Sequence, residues 1–429
     1  MKRNLQYDKD GRILFTKEMK KEYTILMPMM LPIHFRLFKN ILLRHGYKAV
    51  LLETEHPRIV DEGLQSVHND TCYPALLVIG QLLDALKSGD YDINRTALII
   101  TQTGGGCRAS NYIHLLRKAL KRNGLGHIPV ISFNVGGMEK NPGFKLSIGL
   151  IIQIVYAILY GDLLMLLANQ IRPYEISKGD TDRLVADWTD RIGQKLRGST
   201  ILNNRSVRKD FDAIVSDFAR IPVKKTHKIR VGVVGEIYMK YSPLGNNNLE
   251  SFLLSEGVEV VVPGLMDFVL YCVDNAITDT KMYGMNRLKG FLAMPLKKYL
   301  ERLQDMLISS VKKEASFIAP SPFEHVKSLI KGYVGSGNKM GEGWLLTAEM
   351  LELIDSGVEN IICTQPFGCL PNHIVGKGMI RKIRENHNNA NIVAIDYDSG
   401  ATRINQENRI KLMLSVARLN MEKATARSV

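Results

Sequence analysis

From Glu22 onward the chain alternates short β-branched runs with amphipathic stretches of helical period, the pattern of a parallel sheet covered by helices. Strands are expected near Tyr23–Met29, Lys48–Glu53, Thr96–Thr103 and Ile128–Asn134, with helices such as Tyr73–Lys87 and Ser110–Arg122 between them. The pattern restarts near Lys228. There IRVGVVGEIY reads as a buried strand, NNNLESFLLSEG as a helix ended by Gly257, and VEVVVP as the next strand. WLLTAEMLELIDSG is then a helix, while NIICTQP and NIVAIDYD are strands. A helical stretch from about Leu146 to Ala219, broken at Pro173 and at Asn203–Ser206, separates the two regions, and Asp274–Lys339 reads as a mostly helical cap.

A chain of 429 residues, 45% hydrophobic and 23% charged, has material for two or three cores. The expectation is an α/β protein of two parallel-sheet, flavodoxin-like lobes with helical insertions. Residues 1–145 form the first lobe, 146–227 a basic helical connection, and 228–429 the second lobe with its insertion at about 274–339. Five cysteines are too few for a disulfide framework and odd in number, which points to reduced thiols in a cytoplasmic setting. Met1–Glu22 is charged throughout and lacks the apolar core of a signal peptide. The apolar run Ser147–Tyr160, closed by Gly161 and Asp162, falls short of the roughly 20 residues that cross a bilayer. It is expected as a core or oligomer-interface helix, with no membrane association.

The net charge is +14, and Lys195–Arg230 carries half of that excess, ten Lys and Arg against three Asp. Such a stretch suits nucleic acid, an anionic cofactor such as coenzyme A, or an acidic redox partner; the plain alternative is a solvated helical face. No zinc-ligand spacing and no aromatic-basic RNA motif accompanies it, which argues against nucleic acid.

Three cysteines share one context. Cys72 lies in NDTCYPA, with Asn69, Asp70 or Thr71 available as helix cap and Pro74 suited to a first turn. Cys107 follows the strand ALIITQT and precedes the helix YIHLLRKAL, and Cys369 follows ENIICTQ and precedes IVGKGMIRKI. Strand ends in an α/β sheet form its binding crevice, and helix N-termini there lower a thiol's pKa and favour the thiolate that ligates metal. The bland reading of any single cysteine is a small buried hydrophobe, and Cys272 and Cys363, set among apolar neighbours, are assigned to the core on that ground. Gly104, Gly105 and Gly106 precede Cys107. They lack the Lys-Ser/Thr of a nucleotide phosphate loop, so no nucleotide is expected in this chain, and they suit close backbone approach to a cluster or acyl-thioester.

The segments NDTCYPALLVIGQ, ITQTGGGCRASNY, RVGVVGEIYMKYSPLGNNNLE and QPFGCLPNHIVGKGMIRKI resemble the dehydratase-like region of acyl-CoA dehydratase activase-related proteins. More distantly, the order of three cysteines and two lobes resembles subunits of 2-hydroxyacyl-CoA dehydratases and benzoyl-CoA reductases. The resemblance implies an oxygen-sensitive 4Fe-4S cluster, held by Cys72, Cys107 and Cys369 with one iron open. It implies reduction of an acyl-CoA thioester carbonyl so that hydroxide can leave, driven by a separate ATP-dependent activator. The actin-like ATPase segment of such an activator is not found in this sequence. Dehydratases open their first helix with Pro-Glu, where this chain has Pro32, Ile33 and His34. His34, Glu53 and Glu55 are the candidate substitutes, although the exposure preferences of such side chains favour a surface or loop place for each. A double-cubane reductase is the alternative cluster type, a non-catalytic electron carrier or scaffold the alternative class, and a homodimer or paralogous subunit the implied assembly.

Overall fold

The computed structural model describes residues 5–68, 70–103, 105–134, 137–198 and 203–427. Two compact units divide the chain. One comprises Met1–Ile154, Ile192–Ile201 and Tyr241–Gly245; the other comprises Val155–Arg191, Leu202–Lys240 and Asn246–Val429.

The first unit begins with α1 (Lys17–Glu22), β1 (Thr24–Pro28), α2 (Pro32–Arg44), β2 (Lys48–Leu52), α3 (Arg58–Ser66) and α4 (Tyr73–Lys87). It continues with β3 (Thr96–Thr101), α5 (Tyr112–Arg122) and β4 (Val130–Phe133). The strands are all parallel in the order β2-β1-β3-β4. β1 and β3 are apolar on both faces, as a sheet covered on both sides requires, and Ile25, Leu26, Ala97 and Leu98 are fully buried. α3 and α4 cross where Gly80 meets Ile59. A Cβ on Gly80 would stand 2.0 Å from the Ile59 carbonyl oxygen, so only glycine allows this approach. The crossing anchors both ends of the short connection that carries Cys72.

α6 (Ile148–Ile171), α7 (Asp180–Gly198) and α8 (Asn204–Ala219) follow, and the division between units falls inside α6 and α7. Then come β5 (Arg230–Gly235), α9 (Ile237–Tyr241), α10 (Pro243–Asn246), α11 (Leu249–Ser255), β6 (Glu259–Val261) and α12 (Leu265–Tyr283). The chain continues through α13 (Arg287–Val311), α14 (Phe323–Ser328), α15 (Trp344–Asp355) and β7 (Asn360–Pro366). It ends with α16 (Ile380–Asn386), β8 (Asn391–Tyr397) and α17 (Arg403–Arg427). The second sheet is again all parallel, in the order β6-β5-β7-β8. Its order repeats that of the first sheet, with β5 in the place of β1 and β7 in the place of β3. The protein is therefore α/β with two parallel-sheet lobes.

Three local expectations are corrected. The strand IRVGVVGEIY ends at Gly235, and Ile237 and Tyr238 begin α9. The helical insertion starts at Leu265 rather than Asp274. The apolar run does not stop at Gly161 and Asp162 either: α6 extends to Ile171, and its 24 residues are long and apolar enough to cross a membrane by length and composition. Its place in a core rests instead on burial, since 72% of its most apolar window is enclosed by the protein. Asp162 can sit inside such a helix because its carboxylate is satisfied from outside. It accepts the Leu265 and Met266 amides at 2.8 Å each and caps the N-terminus of α12, where a negative charge is favoured.

Candidate functional site

The loops after the strands hold the three cysteines in two groups. Cys72 is itself the N-cap of α4, in extended conformation with Pro74 in the first turn, so Asp70 and Thr71 do not take the capping place; Asn69 lies outside the described residues. Its side chain makes no capping bond. The sulfur lies 2.7 Å from the hydroxyl of Tyr112, the first residue of α5. Cys107 caps a single 3-10 turn, Arg108–Asn111, that leads into α5. Arg108 donates to the Asp70 carbonyl oxygen at 2.5 Å and ties the Cys107 connection to the Cys72 connection. Cys72 is 5% exposed and Cys107 half-buried. Gly105 and Gly106 are exposed, and Gly105 has a φ of +73° with nothing within 4 Å of an added Cβ, which leaves room beside the loop. Gly104 lies outside the described residues.

Cys369 stands in the second lobe where Cys107 stands in the first. Each follows the strand next to the lobe's first strand, across the point where strand order reverses, and in open α/β sheets ligands bind outside the carboxyl ends at that point. The segment after Cys369 is less regular than expected: a π turn at Asn372–Gly376 and a 3-10 turn at Lys377–Met379 precede α16. Cys369 is 9% exposed, while its neighbours Phe367 and Leu370 are 50% and 66% exposed, an apolar rim beside a sheltered sulfur. Cys363 behaves as a core residue. It is fully buried on β7, contacts Asn372 Oδ1 at 3.4 Å, and burial pushes its thiol up to about 12, which keeps it protonated. Cys272 on α12 is reached by solvent, yet the protein packed around its sulfur, with Glu342 near, pushes its thiol up to about 12 as well.

The carboxylate and histidine candidates separate as well. Glu53 and Glu55 are exposed after β2, and Glu53 pairs with Arg36 at 3.1 Å. His34 is no surface or loop residue; it is fully buried in the first turn of α2. Along the basic stretch, Arg205, Arg208 and Lys209 are exposed on α8 while Val207, Phe211, Ile214, Val215 and Phe218 are buried, which makes one solvated basic face.

One group escaped the sequence reading. Glu236, Lys240, Glu342 and Glu349 are all buried in the second lobe, and Lys240 bonds Glu349 at 2.7 Å. Reading Glu236 as strand concealed it. The signal available was an acidic residue directly after the Val-Gly end of a strand.

Among the described residues, no three His, Cys, Asp or Glu side chains form a group that could hold a metal ion. None of the five cysteines is in a disulfide, so their sulfurs have the donor chemistry that an iron-sulfur cluster would need, and the Arg108 bond to Asp70 ties together the connections that carry Cys72 and Cys107. No family model and no curated protein matches this chain.

Proposed function

We propose that the chain is an iron-sulfur protein of the 2-hydroxyacyl-CoA dehydratase type, in which Cys72, Cys107 and Cys369 hold a 4Fe-4S cluster. The observation that carries this reading is the repeated placement of a cysteine after β3 and after β7, at the switch point of each sheet, with the connections that carry Cys72 and Cys107 linked by the Arg108 bond to Asp70. When bound, the cluster supplies low-potential one-electron chemistry toward an acyl-CoA or a small molecule.

The chain's own residues have definable parts in this. The Tyr112 hydroxyl donates to the Cys72 sulfur once that sulfur is ionised, which fixes its orientation. Phe367 and Leu370, exposed on the segment that carries Cys369, offer apolar surface to an acyl chain. The exposed basic face of α8 is suited to coenzyme A phosphates or to an acidic reductase.

The test is anaerobic purification and reconstitution followed by iron and acid-labile sulfide analysis. Equal amounts of iron and sulfide are expected, and a chain that retains neither after reconstitution would overturn the reading. A spectrum that changes on adding an acyl-CoA marks an enzyme, whereas one indifferent to every candidate substrate marks an electron carrier.

A further inference from the structure

Glu236 is the first residue past β5. Gly235 before it has a φ of +128°, in the region that favours glycine, and a Cβ there would stand 2.3 Å from the Thr364 carbonyl oxygen. That oxygen accepts both the Glu236 amide at 3.2 Å and the side-chain amide of Asn372, three residues beyond Cys369, at 2.7 Å. Glu236 and Cys369 thus leave adjacent strands on either side of the switch point of the second sheet.

Around Glu236 stand Glu342, from the turn before α15, Lys240 on α9 and Glu349 on α15. Their exposures are 9% for Glu236, 8% for Glu342, 4% for Lys240 and 3% for Glu349. Glu236 Oε2 accepts the Met239 amide at 2.9 Å, and Glu342 Oε1 accepts the Ile237 amide at 2.8 Å. Lys240 Nζ reaches Glu349 Oε1, whereas Glu349 Oε2 is buried with no hydrogen-bond partner. Cys272 on α12 lies within electrostatic reach of Glu342.

Three ionised carboxylates facing one ammonium would leave two uncompensated negative charges in a buried volume. Each such charge costs several kcal/mol, so the group is stable only if it holds protons. Burial raises the Glu236 carboxyl well above its ordinary range, and the neighbouring Glu342 raises it further; burial also raises Glu342 and Glu349.

We propose that Glu236 and Glu342 form an acid pair that holds a proton at neutral pH and exchanges it with a ligand seated at the Cys369 edge of the second sheet. For its ligand the inference rests on the function proposed above; for its proton it stands alone. In the dehydration, the substrate C–O bond breaks with its electron pair on the departing hydroxide, a carboxyl O–H bond of the pair breaks with its electrons on the carboxylate, and the proton joins the hydroxide to make water. Lys240 and the Met239 and Ile237 amides stabilise the carboxylate left behind.

The test uses the full chain without cluster. Infrared spectra at neutral pH are expected to show a protonated carboxyl signal that Glu236→Gln diminishes; Glu342→Gln, as a second variant, is expected to diminish it too. Denaturant unfolding gives an independent readout. A carboxyl raised in the folded state contributes stability that is complete below its ordinary value of 4.5 and is lost as pH rises through the raised value. The wild type is therefore expected to weaken toward alkaline pH, and Glu236→Gln to flatten that fall. An unchanged carboxyl signal in both variants would overturn the pair. In the loaded protein, Glu236→Gln should lower turnover by about a hundredfold with iron content intact; unchanged turnover would remove the exchange with ligand. Absence of iron together with a present carboxyl signal would sink the cluster reading and leave the acid pair standing.

Discussion

At the scale of single residues, the five thiols are in unlike surroundings, and that difference predicts unlike consequences for the same substitution. Cys72 and Cys107 sit at helix or turn N-termini on connections tied to each other, whereas Cys363 is sealed under Gly376 and Asn372 with its thiol held protonated. Serine at Cys107 or Cys72 is expected to lower anaerobic iron content by half or more, while serine at Cys363 or Cys272 leaves it at the wild-type level. Equal loss at all five positions, read by iron analysis of the purified variants, would point to a larger cluster instead. Cys272 needs no core for this outcome, since it is exposed on α12. Its apolar sequence context suggested burial because LMDFVLYCVDN is rich in hydrophobic residues. A helix buries only one face, and Cys272 falls outside the face that holds Leu270 and Tyr271.

Among the elements, the crossing of α3 and α4 depends on the absence of one atom. Gly80→Ala would drive a methyl into the Ile59 carbonyl oxygen, a backbone group that cannot rotate away, so the helices must part. Such overpacking costs about 1–3 kcal/mol, and the denaturation midpoint is expected to fall accordingly; an unshifted midpoint would show that the two helices are not packed this closely. The Cys72 connection hangs from this crossing, so the same variant should also loosen the Cys72 to Tyr112 contact. Elements with a strong local signal were legible in sequence. Tyr73–Lys87 and Asn360–Pro366 are found at the expected bounds, because Pro74 marks the first turn of one and Pro366 closes the β-rich run Ile361, Ile362 and Thr364 of the other. The end of β5 was not legible, since Gly235 interrupts an apolar run that continues as Ile237 and Tyr238, and periodicity cannot separate a strand from a short buried helix. The cysteines of the proposed site could be singled out in sequence, whereas the buried group of three glutamates and Lys240 could not, because it is assembled from two segments more than a hundred residues apart.

For the molecule as a whole, no Walker motif or actin-like phosphate loop is found in the sequence, and the proposed chemistry needs an electron of low potential. The reconstituted chain is expected not to hydrolyse ATP and to turn over an acyl-CoA only with a separate reductase of the activator class. An anaerobic assay with and without that partner decides it. ATP hydrolysis by the chain alone would refute the division of labour, and activity with a chemical reductant would show the activator to be replaceable. Both sheets follow one strand order, so the lobes solve the same folding problem twice while their loops diverge. The long apolar α6 poses a different problem, that of a nascent segment hydrophobic enough to be taken for a membrane span during synthesis. Asp162, which caps α12 in the finished fold, lies well inside that segment, where an aspartate adds about 2.5–3.5 kcal/mol to the cost of lateral release into lipid. One carboxylate thus joins two helices after folding and, before folding, weighs against their being sorted into a bilayer.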